Sequence, residues 1–337
     1  LMQDFEPVPF YPRRYLSNGH LQTIIGNYLH RIDALPPPLS ELVEVSPATQ
    51  DQIASQVLCH CHWQPDAATK PAAIIVHGLE GSSNSQYVVG NANKLWRAGC
   101  SIIRMNMRNC GGTEQLSPTL YHSGLSGDVR AVMDYFLATR HLQSVSLIGY
   151  SMGGNLVLKL AGELGTEAPP QLHSVIGVSP AVDLGPSADA LHRPFNRLYE
   201  WKFLRALLKR FRRKAALFPR AYDVKRADYI HSLRQFDDEI TAIYSGFSGA
   251  DDYYFRAAAG RVLDQIAVPT LILHAADDPF VYITPESRSL IAANPSITYV
   301  EPAHGGHCAF LASADPSKND DGYWAESTLL RFLLAHA

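Results

Sequence analysis

The sequence predicts an α/β protein: a mostly parallel sheet, covered by helices on both faces, with a helical insertion in its second half. Three observations carry this. From Pro71 onward, short apolar runs alternate with helix-length segments. The runs are too apolar to be half-exposed strands, which is the mark of a sheet buried on both sides. The alternation then stops over residues 183–255, where helical, aromatic and basic sequence holds no convincing strand.

Residues 1–40 are rich in proline and aromatics and end in Pro36-Pro37-Pro38, which reads as an arm laid over a core. Leu42–Ser46 and Ile53–Trp63 follow as strand-like runs joined by a polar turn, a hairpin pattern. Six more strand-like runs come next: Ala72–Val76, Ser101–Met105, Val145–Ile148, Val175–Val178, Thr270–His274 and Ile297–Val300. The segments Ser85–Ala98 (stopped by Gly99), Ser126–Thr139 and Met152–Leu164 have helix length. Together these make one domain on eight strands. The insertion at 183–255 falls between the sixth and seventh, above the strand C-termini where ligand sites of such sheets lie.

Composition narrows the function classes. The chain has 337 residues, 46% hydrophobic and 18% charged, so it can bury a large core. A net charge of −3 gives no reason to expect nucleic acid as a partner. Five cysteines, an odd number in a long chain, suggest reduced thiols. No run approaches the roughly 20 apolar residues of a membrane span, and no basic-then-apolar leader is visible. The expected setting is cytoplasmic, with an upstream anchor left open because the sequence begins at Leu1.

Gly149-Tyr150-Ser151-Met152-Gly153 fits G-x-S-x-G. By composition alone such a match arises in roughly one chain of this length in ten. Its setting adds the weight, since a strand-like run precedes it and an apolar helical run follows. A nucleophile elbow needs that strand–turn–helix context, with glycines where side chains would collide. Ser151 is therefore the expected nucleophile. The oxyanion would be held by two backbone N–H groups, those of Met152 after the nucleophile and of Leu79 in the His77-Gly78-Leu79 loop.

A serine nucleophile needs a base, and the base needs an orienting acid. In the order serine, acid, histidine, the acid belongs in the loop after Thr270–His274, where Asp277 and Asp278 compete. Asp278, directly before Pro279, is favoured. The base belongs after Ile297–Val300, where His304 and His307 compete, and Gly305-Gly306 favours His307 by allowing a tight approach.

The motifs His77-Gly78-Leu79-Glu80-Gly81-Ser82-Ser83, Gly149 to Asn155, Ala276 to Phe280 and His304 to His307 resemble those of the YheT-like α/β hydrolases, relatives of the abhydrolase-domain esterases and lipases. Asn18-Gly19-His20-Leu21-Gln22-Thr23-Ile24 is similar to that group's N-terminal signature, and Arg108 to Gly112 and Tyr121 to Asp128 fall where its motifs do. The resemblance implies the α/β-hydrolase fold, no cofactor and no metal. It also implies an acyl-ester substrate of short to medium chain length or a monoacylglycerol. It supports Ser151, Asp278 and His307 as the triad. Asn109-Cys110 departs from the Gly-Cys or Gly-Asn more usual after the arginine.

Other signals are weaker. Cys59-His60-Cys61-His62 looks like a metal motif, but on a strand the cysteines and histidines point to opposite faces. His20 and His122 read as structural hydrogen-bonders, and Gly111-Gly112 lacks a dinucleotide fingerprint. Residues 201–226 hold ten basic side chains against the single Asp223, with Trp201, Leu204, Leu208 and Phe211 at helical spacing. That fits either a cap helix with one solvated basic face or weak contact with an anionic membrane. Two rivals share the residues: an acyltransferase with the same triad, and a non-catalytic binding protein on the same fold. The oligomeric state is not legible.

Overall fold

The computed structural model describes residues 5–315, 317 and 320–337. The strands are β1 (Leu39–Ser46), β2 (Ser55–His62), β3 (Ala72–Val76), β4 (Ser101–Met105), β5 (Val145–Tyr150), β6 (Leu172–Val178), β7 (Thr270–Leu273) and β8 (Ile297–Val300). They form one sheet in the order β1-β2-β4-β3-β5-β6-β7-β8. The β1–β2 and β2–β4 pairs are antiparallel and all the others parallel. The expected hairpin is present, with β2 two residues shorter at its start and one at its end.

The helices are α1 (Gly19–Tyr28), α2 (Gln86–Arg97), α3 (Ser126–Arg140), α4 (Met152–Leu164), α5 (Leu184–Leu191), α6 (Arg197–Leu217), α7 (Leu233–Phe236), α8 (Ile243–Ser245), α9 (Ala250–Ala257), α10 (Pro285–Ala293) and α11 (Trp324–His336). Strand alternation divides the core in two. Ile74 and Val76 of β3 join a cluster with residues of α3, α4 and α10, whereas Ala73 and Ile75 join one with residues of α2 and α11. Every residue of β3, β4 and β5 is buried, as strands packed on both faces require.

Two segments differ from expectation. The arm does lie on the core: Trp324 Nε1 donates to Val8 O at 2.9 Å, and Phe10 packs on Phe310 and Trp324. Its first four residues are outside the described region. Within it, however, the structure forms α1, capped by Asn18, whose side-chain oxygen accepts the Leu21 N–H at 3.1 Å. Between β6 and β7, α5 to α9 make a helical cap. The inward face of α6 is Leu204, Leu207, Phe211 and Ala215, and Trp201 is 55% exposed rather than packed. Lys214 is turned inward too. Its Nζ donates to Asn109 Oδ1 at 2.5 Å, Glu114 O at 2.8 Å and Ser117 O, so three oxygens compensate its burial.

Candidate active site

The turn from β5 into α4 is forced by close approach. A Cβ at Gly149 would sit 2.1 Å from Gly153 O, and one at Gly153 would sit 2.4 Å from His77 O, so only glycine fits either place. Between them Ser151 has φ +53° and ψ −115°. A non-glycine residue held there costs on the order of 1–3 kcal/mol, which the surrounding strand and helix must sustain. The turn lifts the Ser151 side chain to the C-terminal edge of the sheet, at the first turn of α4.

His307 Nε2 lies 2.9 Å from Ser151 Oγ, and His307 Nδ1 lies 2.7 Å from Asp278 Oδ2. The other carboxylate oxygen of Asp278 accepts the N–H groups of Phe280 (3.1 Å) and Val281 (3.0 Å). With Nδ1–H directed at the carboxylate, Nε2 is the lone-pair nitrogen facing the serine. Burial alone would raise the Asp278 pKa. The facing imidazole, the hydrogen bond from it, His274 and the Val281 N–H together hold it below the usual carboxylate value. For His307 burial is the largest single effect and works downward, but the charge and hydrogen bond of Asp278, together with the neighbouring Cys308, outweigh it and the pKa is raised. Phe280 packs against the imidazole with ring centres 4.4 Å apart.

The competing residues lie elsewhere. His304 is nearly half exposed, with its Nδ1 3.4 Å from Asp277 Oδ2. Asp277 Oδ1 accepts the Gly306 N–H at 2.8 Å, tying the acid loop to the histidine loop. Thus the structure brings Asp278 and His307 to Ser151, and Asp277 and His304 to each other.

Leu79 and Met152 meet at the serine from two sides. A Cβ at Gly78 would be 3.2 Å from Ser151 Cβ, so the β3 loop runs directly past the elbow. Among the described residues neither the Leu79 nor the Met152 N–H has an acceptor, which leaves both free for an anion. His77 fixes this loop: Nδ1–H donates to Gly78 O at 2.8 Å, and Nε2 accepts the Met107 N–H at 3.1 Å. Burial lowers its pKa to about 4, so it stays neutral. The cap also grips the loop. Arg210 Nε of α6 donates to Glu80 Oε1 at 2.8 Å, and the same oxygen accepts the Tyr121 hydroxyl at 2.5 Å.

Several of these residues were not foreseen. Thr23 and Gln22 of α1 hold the histidine loop, and Arg210 and Lys214 fasten the cap, although sequence periodicity put the basic segment at a solvated rim. Arg108 forms a two-pronged pair with Asp128, both bonds at 2.6 Å. That gives a structural role to two motif residues. Cys59 and Cys61 face the core, while His60 and His62 contact Ser83 and Arg104 on the other face of β2. Among the described residues no cluster of three or more His, Cys, Asp or Glu is placed to hold a metal. Nor is any helix long and apolar enough to cross a membrane.

Ser151 stands between two cavities. The inner one, about 120 Å³, lies beneath the cap and is lined by Met152, Ala188, Leu191, Leu233 and Phe236 among others. The outer one, about 570 Å³, opens between α1 and α6 and includes His307. Phe203 and Phe280 border both.

The chain belongs to the alpha/beta hydrolase fold family, which matches residues 71–314, and is an enzyme of the carboxylic ester hydrolase class. It is 30% identical to the esterase-named YheT of Escherichia coli (strain K12) over 90% of this chain and 87% of that protein. It is 26% identical to Phospholipase ABHD3 of Mus musculus over 94% of this chain and 77% of that protein. Among solved structures, the Pyrococcus furiosus esterase Pf2001 superposes with a TM-score of 0.55 at 13% identity, over 89% of this chain and 96% of that one. The last likeness is one of fold.

Proposed function

We propose that the protein hydrolyses acyl esters of lipid type, with Ser151 as nucleophile, His307 as base and Asp278 as its orienting acid. The observation that carries this is the unbroken hydrogen-bonded line from Ser151 Oγ through the His307 ring to Asp278, at 2.9 and 2.7 Å. Esters of short to medium acyl chains and monoacylglycerols fit the reading.

In the first half, Ser151 Oγ attacks the ester carbonyl carbon and its proton passes to His307 Nε2. The carbonyl oxygen becomes an oxyanion between the N–H groups of Leu79 and Met152, a contribution of about 2.7–4 kcal/mol per donor in comparable sites. Collapse of the tetrahedral species breaks the bond to the alkoxy oxygen, which takes the proton from His307. Water, deprotonated by His307, then attacks the acyl-serine, and Ser151 leaves with that proton. No metal or cofactor enters these steps.

The two cavities support one orientation of the ester. His307 must reach the leaving oxygen, and His307 borders the outer cavity alone, so the alcohol is set on that side. The acyl chain then lies in the inner cavity, whose walls are mostly apolar as ligand pockets are. The expected test results are loss of at least about 10³ in ester turnover for Ser151→Ala and for His307→Ala with the fold kept. Full activity in His304→Ala completes the pattern. An inactive His304→Ala beside a near-normal His307→Ala would reverse the base assignment. Labelling of Ser151 by a fluorophosphonate separates this reading from a binding protein on the same fold.

An acyltransferase would use the same residues, and the width of the outer cavity on the His307 side admits an alcohol as well as water. Product analysis with added ethanol measures that partition directly.

A further inference from the structure

Helix α1 is amphipathic in an inverted sense. Its inward face carries Gly19, Gln22 and Thr23, which are buried against the loop holding His307. Its outward face carries Leu21, Ile24 and Tyr28, which are 45%, 40% and 72% exposed. Surface helices normally turn the apolar stripe to the core. Across the outer cavity the approach to α6 repeats the pattern, with Phe195, Leu198 and Trp201 at 90%, 67% and 55% exposure.

Single exposed apolar side chains are ordinary. Here, however, Ile24, Tyr28, Leu198 and Trp201 all line the outer cavity, which also reaches Ser151 and His307. A set of apolar side chains gathered at the mouth of a site marks an interaction surface. The two helices meet across that mouth, for Lys202 Nζ lies 5.2 Å from the centre of the Tyr28 ring.

Charge identifies the partner. Arg197, Lys202, Arg205 and Lys209 are exposed along the same stretch of α6. The only acidic residue in α1 or α6 is Glu200. It is buried, accepting the Leu233 N–H at 2.9 Å and facing His192. Apolar side chains edged by unopposed cations match the boundary between anionic headgroups and acyl chains. A soluble acidic protein would be met by the charges but not by six exposed apolar side chains.

We propose that α1 and the first half of α6 form a docking surface for an anionic lipid bilayer, with the mouth of the outer cavity turned toward the lipid. This surface is distinct from the whole basic stretch 201–226, because Arg210 and Lys214 in the second half of α6 are turned into the protein. A lipid ester then enters the cavity from the bilayer with its alcohol side already next to His307. That last consequence rests on the ester-hydrolase reading; the docking itself does not.

The test uses the full chain carrying Ser151→Ala, so that binding is measured without turnover. It is sedimented with vesicles of phosphatidylcholine alone, or of three parts phosphatidylcholine to one part phosphatidylglycerol. Binding is expected on the anionic vesicles and should fall as salt rises, since the screening length drops from about 8 Å at physiological strength to about 3 Å at 1 M. Arg205→Glu changes the charge by two and should weaken it by roughly 30-fold, at about 1 kcal/mol for each unit of charge. Leu21→Ser with Phe195→Ser should weaken it by at least about tenfold through lost apolar burial. With Ser151 restored, both variants should hydrolyse a soluble acetate ester at the unmodified rate, which shows that they fold. Wild-type-like sedimentation of both variants, or no binding to anionic vesicles at low salt, would overturn the proposal. Vesicle binding by a protein that hydrolyses no ester would instead overturn the catalytic reading and leave the docking surface standing.

Discussion

Thr23 Oγ1 accepts the backbone N–H of His307 at 2.8 Å while donating its own proton to Gly19 O at 2.7 Å. A residue 284 positions before the histidine therefore fixes the peptide from which the imidazole projects. The neighbouring Gln22 clamps the far end of the same loop, accepting Leu311 N–H at 2.8 Å and donating to Leu311 O at 3.0 Å. A Cβ at Gly19 would lie 2.0 Å from Asp277 O, so α1 rests directly on the acid loop as well. The helix supports both loops that meet at Ser151.

Thr23→Val keeps the shape of the side chain and removes the acceptor, leaving the His307 N–H unpaired. A small displacement of a catalytic group can cost on the order of 10² in rate. The expected result is a fall in kcat of about 10- to 100-fold with KM little changed, and recovery in Thr23→Ser, which restores the hydroxyl. If Thr23→Ser is as impaired as Thr23→Val, or if KM moves instead of kcat, the residue serves packing and not the histidine.

On the proposed mechanism, the carboxylate beside His307 should set the pH profile. In that mechanism His307 must be neutral to take the serine proton, so activity should rise with pH through the imidazole pKa. Asp278 raises that pKa against the effect of burial, which places the ascending limb of kcat/KM above the ordinary histidine value of about 6.5. In Asp278→Asn the carboxylate is gone and burial meets less opposition, so the limb should move to lower pH. The plateau should fall by about 10³–10⁴, because the imidazole loses its orienting partner. A limb that moves upward, or stays in place, would remove Asp278 from this role.

Asp277 makes a contrasting case. Its Oδ1 accepts the Gly306 N–H, and an asparagine can still offer an oxygen there. Only the 3.4 Å contact with the half-exposed His304 is weakened. Asp277→Asn should stay within about fivefold of full activity, as surface contacts of this kind contribute little. Losses equal to those of Asp278→Asn in folded protein would reverse the two assignments.

What the sequence made legible follows from how each element is stabilised. β3, β4 and β5 are apolar along their whole length because both faces are covered, and Gly149 and Gly153 are glycines because neighbouring carbonyls leave no room for a Cβ. Such signals are local and survive in a bare sequence. α1 was hidden for the opposite reason. Its buried side is polar and its exposed side apolar, so its periodicity points the wrong way, and only the Asn18–Ile24 motif fell on it. Lys214 and Arg210 were unreadable because a cation is buried only when distant chain supplies its oxygens, here Asn109, Glu114 and Ser117 for Lys214 and Glu80 for Arg210. Such compensation is tertiary and leaves no trace in spacing.

The orientation of the ester in the two cavities can be tested by changing the size of one of them. Ala188 of α5 lines the inner cavity together with Leu191, and Phe236 lines it from α7. If the acyl chain occupies this space, Ala188→Leu shortens it and Phe236→Ala lengthens it. In a series of p-nitrophenyl esters the leaving group is constant, so only the acyl side varies. Ala188→Leu should leave acetate hydrolysis within about twofold and lower kcat/KM for an octanoate ester by at least about tenfold, the scale of one or two poorly accommodated methylenes. Phe236→Ala should move the preferred chain length upward, although removing a buried aromatic costs about 3–5 kcal/mol of stability and calls for a melting curve beside the kinetics. The opposite series holds the acetyl group constant and varies the alcohol. It should be indifferent to Ala188→Leu, because the leaving oxygen faces His307 and the outer cavity. Should Ala188→Leu discriminate among alcohols and not among acyl chains, the ester would lie the other way round in the site, and His307 would have to reach its leaving oxygen from beneath the cap.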